Sequence, residues 1–66
     1  MVPCPRFEIR KKRNLLTRRL RYWVVLIAEN CEVLSTSEVL TSDHAAMVNI
    51  EAQKAVGIHA EVYRAP

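Results

Sequence analysis

Residues 22–28 read YWVVLIA and form the longest apolar run in the chain. Aromatic and β-branched residues dominate this run, and both types favour a β-strand. At seven residues it is far shorter than the roughly 20 that a helix needs to span a bilayer. Leu16, Leu20, Trp23 and Ile27 also fit the spacing of a basic amphipathic helix over 14–28, which is the competing interpretation. We predict a strand.

A hairpin turn is predicted directly after this strand. Glu29, Asn30 and Cys31 interrupt the apolar run, and Glu32 then leads into a further apolar pair. Cys31 stands where an Asn-Gly turn has glycine, and a non-glycine residue in a left-handed conformation costs about 1 kcal/mol or more. The turn is therefore either strained or of a different type.

Upstream and downstream segments complete an α+β pattern. Phe7 and Ile9 alternate with charged residues, as in a half-buried strand. A helix is predicted over 43–56, with Ala46 and Ile50 on one face and Gly57 as its C-terminal stop. The residues after it suggest a short closing strand or an extended tail.

The chain of 66 residues has room for one small domain. We predict an N-terminal tail over 1–6 and a single α+β domain over 7–66, with a basic loop at 10–21. The fold class is a three-stranded antiparallel sheet with one helix packed on it and possibly a short C-terminal strand. Because so short a chain buries only about 60% of its surface, we expect dimerisation to complete the core.

Charge is distributed very unevenly along the chain. Residues 1–21 hold eight basic side chains and one acid, a net charge of +7, whereas residues 22–66 hold two basic and six acidic side chains, a net charge of −4. Such asymmetry indicates an anionic partner for one end, or a basic segment that only keeps the protein in solution. The candidate nucleic-acid-binding residues are Arg10, Lys11, Lys12, Arg13, Arg18 and Arg19.

No catalytic, metal or cofactor site can be assembled from the sequence. Cys4 and Cys31 could form one bridge, whereas small disulfide-built domains usually carry about two to four. We therefore expect both cysteines to be reduced and the protein to be cytoplasmic. Neither they nor His44 and His59 show metal-ligand spacing, and no Gly-rich phosphate loop exists. We expect no enzyme activity, no metal, no cofactor, no small-molecule substrate and no membrane span.

The basic stretch followed by an apolar stretch has the outline of a signal peptide. The apolar part lies at the lower length limit, contains Trp23 and Tyr22, and ends without an A-x-A site. We therefore do not expect export through such a signal.

From Tyr22 to Val62 the chain resembles the YegP-like family of small ββα repeats, whose biochemical role is unassigned. The resemblance starts with the string Tyr22-x-Val24-x-Leu26-x-Ala28-x-Asn30-x-Glu32-Val33-Leu34. It continues through Ser37-Glu38, Thr41-Ser42, Ala46, Ile50-Glu51, Lys54 and Ala60-Glu61-Val62, and Phe7-Glu8-Ile9 is similar to the family's first strand. The resemblance implies a three-stranded antiparallel sheet with a helix across it, and pairing of repeats or of protomers.

The chain departs from this pattern most clearly in its central strand. Outward positions that the family commonly fills with charged residues are here Trp23, Val25 and Ile27. Cys31 and Asn49 also stand in place of family glycines, and the basic segment is longer. A strand that is apolar on both faces marks an interface, unless a second protomer or the N-terminal arm covers it.

The sequence therefore predicts a non-enzymatic protein-interaction module. It acts as a homodimer, or binds and regulates a larger protein, through a sheet face formed by Trp23, Val25 and Ile27. The alternative is a nucleic-acid-binding protein that uses the basic N-terminal segment.

Overall fold

The predicted central strand lies inside a four-stranded mixed sheet that carries one helix. The computed structural model describes residues 3–66. Its elements are β1 (Arg6–Arg13), β2 (Leu20–Ile27), β3 (Val33–Thr36), α1 (Asp43–Ala55) and β4 (Glu61–Arg64). The sheet order is β3-β2-β1-β4. The α+β class is confirmed, and the helix considered over 14–28 is wrong, because β2 pairs with strands on both sides.

The core lies between α1 and one face of the sheet, which we call the helix face. Alternate residues of β1 and β2 point to it, since successive side chains of a strand point to opposite sides. Its buried members come from both strands and the helix: Phe7, Ile9, Val24, Leu26, Ala46 and Ile50. Ala46 and Ile50 are the residues predicted to share one face of the helix, and that face packs on the sheet.

The helix begins and ends close to the predicted positions. Ser42 is the N-cap and its side chain accepts a hydrogen bond from the Ala45 amide at 3.0 Å. Gly57 follows the helix with a φ of 101°, a conformation that glycine adopts without strain. Arg64 of β4 donates two hydrogen bonds to Asp43, at 2.9 and 3.1 Å, and holds the pKa of that carboxyl below its usual value.

The closing strand is present, but it makes the sheet mixed rather than purely antiparallel. β4 pairs parallel to β1, with Phe7 opposite Val62. A parallel neighbour needs a crossover, and the chain provides it by passing across the sheet through α1. The predicted three-stranded antiparallel sheet therefore corresponds to β1, β2 and β3, and the fourth strand lies on the outer side of β1.

The turn between β2 and β3 differs from the type expected of Asn-Gly. The Cys31 amide donates to the Ala28 carbonyl at 2.8 Å, and the Ala28 amide donates to the Glu32 carbonyl at 2.9 Å. Cys31 has a φ of 67°, while Asn30 is not left-handed. This is a three-residue hairpin loop with one left-handed position, where glycine is preferred. Cysteine at that position therefore has a local conformational free-energy cost, and an interaction elsewhere must explain why it is there.

That interaction is a disulfide between Cys4 and Cys31, so the prediction of two reduced cysteines is wrong. The two Cα atoms lie 5.6 Å apart, and the bridge spans 27 positions of sequence. It fastens the segment before β1 to the β2–β3 turn at the same end of the sheet. The predicted tail over 1–6 is thus anchored at Cys4, and its last residue, Arg6, belongs to β1; residues 1 and 2 lie outside the described residues.

Loss of the disulfide should destabilise the fold substantially. For a closed loop of this length, chain entropy predicts a loss of about 3.5 kcal/mol in the free energy of unfolding when both cysteines are replaced by serine. Urea unfolding of the oxidised protein and of Cys4→Ser/Cys31→Ser measures the difference. The bridge would be contradicted if the two proteins had equal unfolding midpoints and if a reducing agent left the midpoint of the wild type unchanged.

Candidate functional site

The sheet has a second face, opposite the helix, on which the predicted interface residues Trp23, Val25 and Ile27 lie. Val25 is only 1% exposed and Ile27 only 3%, whereas Trp23 is half-buried. Val25 and Ile27 are therefore buried within the single chain, one of the alternatives that the sequence left open. Within a single chain, only the Trp23 end of this stripe is accessible to a partner.

Three charged residues of β1 lie beside the stripe on the same face of the sheet. Arg6, Glu8 and Arg10 alternate along the strand and lie directly opposite Ile27, Val25 and Trp23 in the register of the β1–β2 pair. Side chains of such cross-strand pairs are in contact on the same face. The aliphatic part of an arginine can lie over apolar neighbours while its guanidinium reaches a polar partner. We call these three residues the Arg–Glu–Arg cluster.

Glu8 sits at the centre of this cluster and is 7% exposed. Its carboxylate accepts hydrogen bonds from Nε of Arg6 at 2.9 Å and from Nε of Arg10 at 2.8 Å. Arg6 is further held by a hydrogen bond from Nη1 to the Cys4 Sγ at 3.2 Å and lies over the Tyr63 ring at 5.8 Å. The cluster thus links β1, β4 and the disulfide across the second face.

The environment of Glu8 lowers its pKa. Burial alone would raise the pKa, because it disfavours the charged form, but the hydrogen bonds and positive charges of Arg10 and then Arg6 outweigh burial. The carboxylate therefore stays ionised in the folded protein. The sequence contained a signal for this cluster, Arg-x-Glu-x-Arg on one side of a strand, which our sequence analysis did not use.

The basic segment is a β-hairpin rather than the loop predicted at 10–21. Strand pairing continues through Arg10–Trp23, Lys11–Tyr22, Lys12–Arg21 and Arg13–Leu20. Only residues 14–19 form the connection, closed by hydrogen bonds from the Asn14 amide to the Arg19 carbonyl at 2.9 Å and from the Arg18 amide to the Asn14 carbonyl at 2.7 Å. The basic side chains are consequently held on an extended, ordered arm.

Most of the predicted nucleic-acid-binding residues lie exposed on this arm, but Arg10 is paired with Glu8. The exposed basic residues, which we call the hairpin cations, are Lys11, Lys12, Arg13, Arg18, Arg19 and Arg21. Lys12 lies directly opposite Arg21 in the strand register. Like charges in such a pair are destabilising, so an anionic group bound between them would relieve the repulsion.

The tip of the arm carries two leucines that sequence analysis did not single out. Leu15 is 88% exposed and Leu16 is 95% exposed, and together we call them the leucine tip. They line a groove of about 430 Å³ on the second face, which we call the hairpin groove. Its other lining residues are Trp23, Val39, Lys12, Arg13, Asn14 and Arg21. The groove therefore combines apolar surface with cations.

The leucine tip could have been found from the sequence. Leu15 and Leu16 are adjacent apolar residues in an otherwise polar and basic segment, so they cannot both belong to a strand face that packs on the core. The prediction of a loop at 10–21 gives no position for these two side chains. The closed hairpin makes their exposure a fixed property of the surface.

Other kinds of site are not evident in the described part of the chain. No helix over residues 3–66 is long and apolar enough to cross a membrane. In the same residues, no three His, Cys, Asp or Glu side chains come together as a metal-binding group.

Comparison with known proteins identified no relative of this chain. No family model matches the chain, and neither a curated protein nor a solved structure does. The resemblance to the YegP-like family therefore stays a prediction, and the function has to be argued from the surface itself.

Removal of the Glu8 charge should weaken the fold in a pH-dependent way. The pKa of Glu8 is lower in the folded protein than in the unfolded chain, where it is about 4.3. The ionised carboxylate therefore stabilises the fold fully above the unfolded pKa, and this stabilisation is lost as the pH falls through the lower folded pKa. Glu8→Gln should cost roughly 2 kcal/mol at pH 7 and flatten the acid side of the stability profile. Chemical denaturation across pH measures both effects, with the exposed-residue variant Glu51→Gln as the control. A pH 7 stability equal to that of the wild type would contradict the role of the cluster.

Proposed function

We propose that this chain is a non-enzymatic protein-interaction module that binds through the hairpin groove. The observation that carries the proposal is the leucine tip, two almost fully exposed leucines held beside Trp23 by an ordered hairpin. Exposed apolar surface of this kind, rimmed by charge, is typical of protein-binding sites. The partner surface should present apolar side chains between carboxylates.

The groove supports this proposal over the broader interface predicted from sequence. Of the predicted interface residues, Trp23 lines the groove, while Val25 and Ile27 are buried beside the Arg–Glu–Arg cluster. A half-buried tryptophan next to exposed leucines provides a central apolar contact, and aromatic residues are enriched among those that dominate binding energy. The hairpin cations then supply orientation and speed of association more than affinity.

The hairpin also supports nucleic-acid binding as a second candidate function. Six exposed cations on one arm could contact successive phosphates, and Trp23 could stack with a base. Leucines contribute neither phosphate contacts nor a stacking surface, so this candidate leaves the most exposed residues of the arm without a role. The two candidates therefore differ in whether binding depends on Leu15 and Leu16.

A cytoplasmic location was inferred from reduced cysteines, and the disulfide removes that basis. Disulfides persist in oxidising compartments and are rare in the cytosol of most organisms. We propose that the protein acts where the Cys4–Cys31 bridge is maintained.

Protein binding should depend on the leucine tip. Immobilised wild-type chain and Leu15→Ser/Leu16→Ser are each exposed to nuclease-treated cell extract supplemented with soluble tagged copies of whichever protein is immobilised, and all retained protein is quantified. We expect retention by the wild type to fall at least about tenfold in the variant, because the apolar contact is lost while the net charge is unchanged.

The matched control is Val48→Ser/Val56→Ser, which removes two exposed apolar residues elsewhere on the chain. This control should retain as much protein as the wild type. Equal retention by all three proteins would contradict the proposed function.

The nucleic-acid candidate makes a different prediction about salt. Six phosphate contacts to a single strand predict that affinity for an oligonucleotide of about 20 nucleotides falls a few hundredfold between about 50 and 200 mM salt. Arg18→Ser/Arg19→Ser should weaken binding, and Leu15→Ser/Leu16→Ser should not. Fluorescence titration of the three proteins measures this, and an affinity that hardly changes with salt rules out phosphate-driven binding.

A further inference from the structure

A second groove lies at the opposite end of the sheet from the leucine tip. It has a volume of about 480 Å³ and lies beside the β2–β3 turn, and we call it the turn groove. Its lining is mainly apolar and includes Leu34, which is 65% exposed, together with Leu26, Ile27, Ala28, Ile58 and Ala60.

One acidic residue lines this groove, and two more adjoin its lining residues along the chain. Glu29 lines it, Glu32 lies in the same turn, and Glu61 begins β4 opposite Arg6. All three side chains belong to exposed residues. The one lysine at this end, Lys54, lies 3.8 Å from a carboxylate oxygen of Glu51. The turn groove is therefore apolar with an acidic rim, and the hairpin groove is apolar with a basic rim.

The two complementary surfaces cannot meet within one chain. The leucine tip and the β2–β3 turn lie beyond opposite ends of β2, whose eight residues separate them by about 24 Å. The strand is fixed in the centre of the sheet, so no hinge brings its ends together. An acidic, apolar partner for the leucine tip is nevertheless available in any solution of this protein, on a second copy.

We propose that the protein associates head to tail, with the leucine tip of one copy seated in the turn groove of another. Leu15 and Leu16 would contact Leu34 and its apolar neighbours, while hairpin cations would approach Glu29 and Glu32. This inference rests on the proposed function, because it names a partner for the same hairpin surface. Association through two different surfaces forms closed rings or open chains, and two copies lying antiparallel would close with both contacts made.

Charge complementarity favours a second copy over an unrelated acidic protein at high protein concentration. Every copy carries both surfaces, so the contact needs no other component. Because only two leucines and a few exposed ion pairs are involved, association should be weak and should depend on salt.

Mixing two variants tests the head-to-tail contact. The tip variant Leu15→Ser/Leu16→Ser keeps an intact turn groove, and the groove variant Glu29→Lys/Leu34→Ser keeps an intact tip. Sedimentation equilibrium of the oxidised protein over about 10 μM to 1 mM gives the molar mass of each variant alone and of a 1:1 mixture. All four changed residues are exposed, so both variants should fold, and far-UV circular dichroism checks this.

The wild type should self-associate at low salt, and each variant alone should associate at least about tenfold more weakly. The mixture should recover a complex with one copy of each, because the tip of the groove variant meets the groove of the tip variant. The matched control Glu51→Lys/Val48→Ser makes the same kinds of change on exposed helix residues and should behave as the wild type.

Two results would overturn the inference. One is a wild type that stays monomeric over the whole concentration range at low salt. The other is self-association of the wild type that neither pair of substitutions weakens, or that a mixture of the two variants does not recover. In both cases, leucine-dependent retention of other proteins from extract would still support the proposed function, so the two failures are distinguishable.

Discussion

Burial of β2 on both of its faces is the constraint on which the rest of the structure depends. The chain has one helix, and that helix covers only the side of the sheet that carries Val24 and Leu26. The other side has no second layer, yet Val25 and Ile27 are buried. The Arg–Glu–Arg cluster flanks these residues on the β1 side, where the ionised Glu8 holds both arginine side chains, and β3 flanks them on the other side.

The position of the Arg–Glu–Arg cluster and of the disulfide determines which parts of the surface are accessible to a partner. The cluster ends at Arg10, and beyond it the β1–β2 hairpin extends without further acidic partners on its strands. At the other end of the sheet, the Cys4–Cys31 bridge fastens the start of the chain to the β2–β3 turn. One end is therefore cross-linked and carries the turn groove, and the other presents cations and the leucine tip.

Hydrophobic periodicity was sufficient to predict the central strand, and the polar residues after it were sufficient to predict the hairpin. The ends of the helix were also predictable, because they depend on neighbouring residues such as Ser42 and Gly57. The parallel pairing of β4 and the bridge were not predictable, since both depend on which distant segments meet in space. Whether Val25 and Ile27 are buried within one chain was left open for the same reason: the charged residues beside them belong to another strand. The leucine tip was missed because the hairpin was interpreted as a flexible loop.

A single chain buries Val25 and Ile27 in the middle of the second face of its sheet and leaves the leucine tip exposed at the hairpin end. Paramagnetic relaxation of methyl signals by a soluble, uncharged nitroxide tests this most directly, at a concentration where the protein is monomeric. The account predicts strong relaxation of the Leu15 and Leu16 methyl groups and little relaxation of those of Val25 and Ile27. Relaxation of Val25 and Ile27 as strong as that of the leucine tip would contradict it.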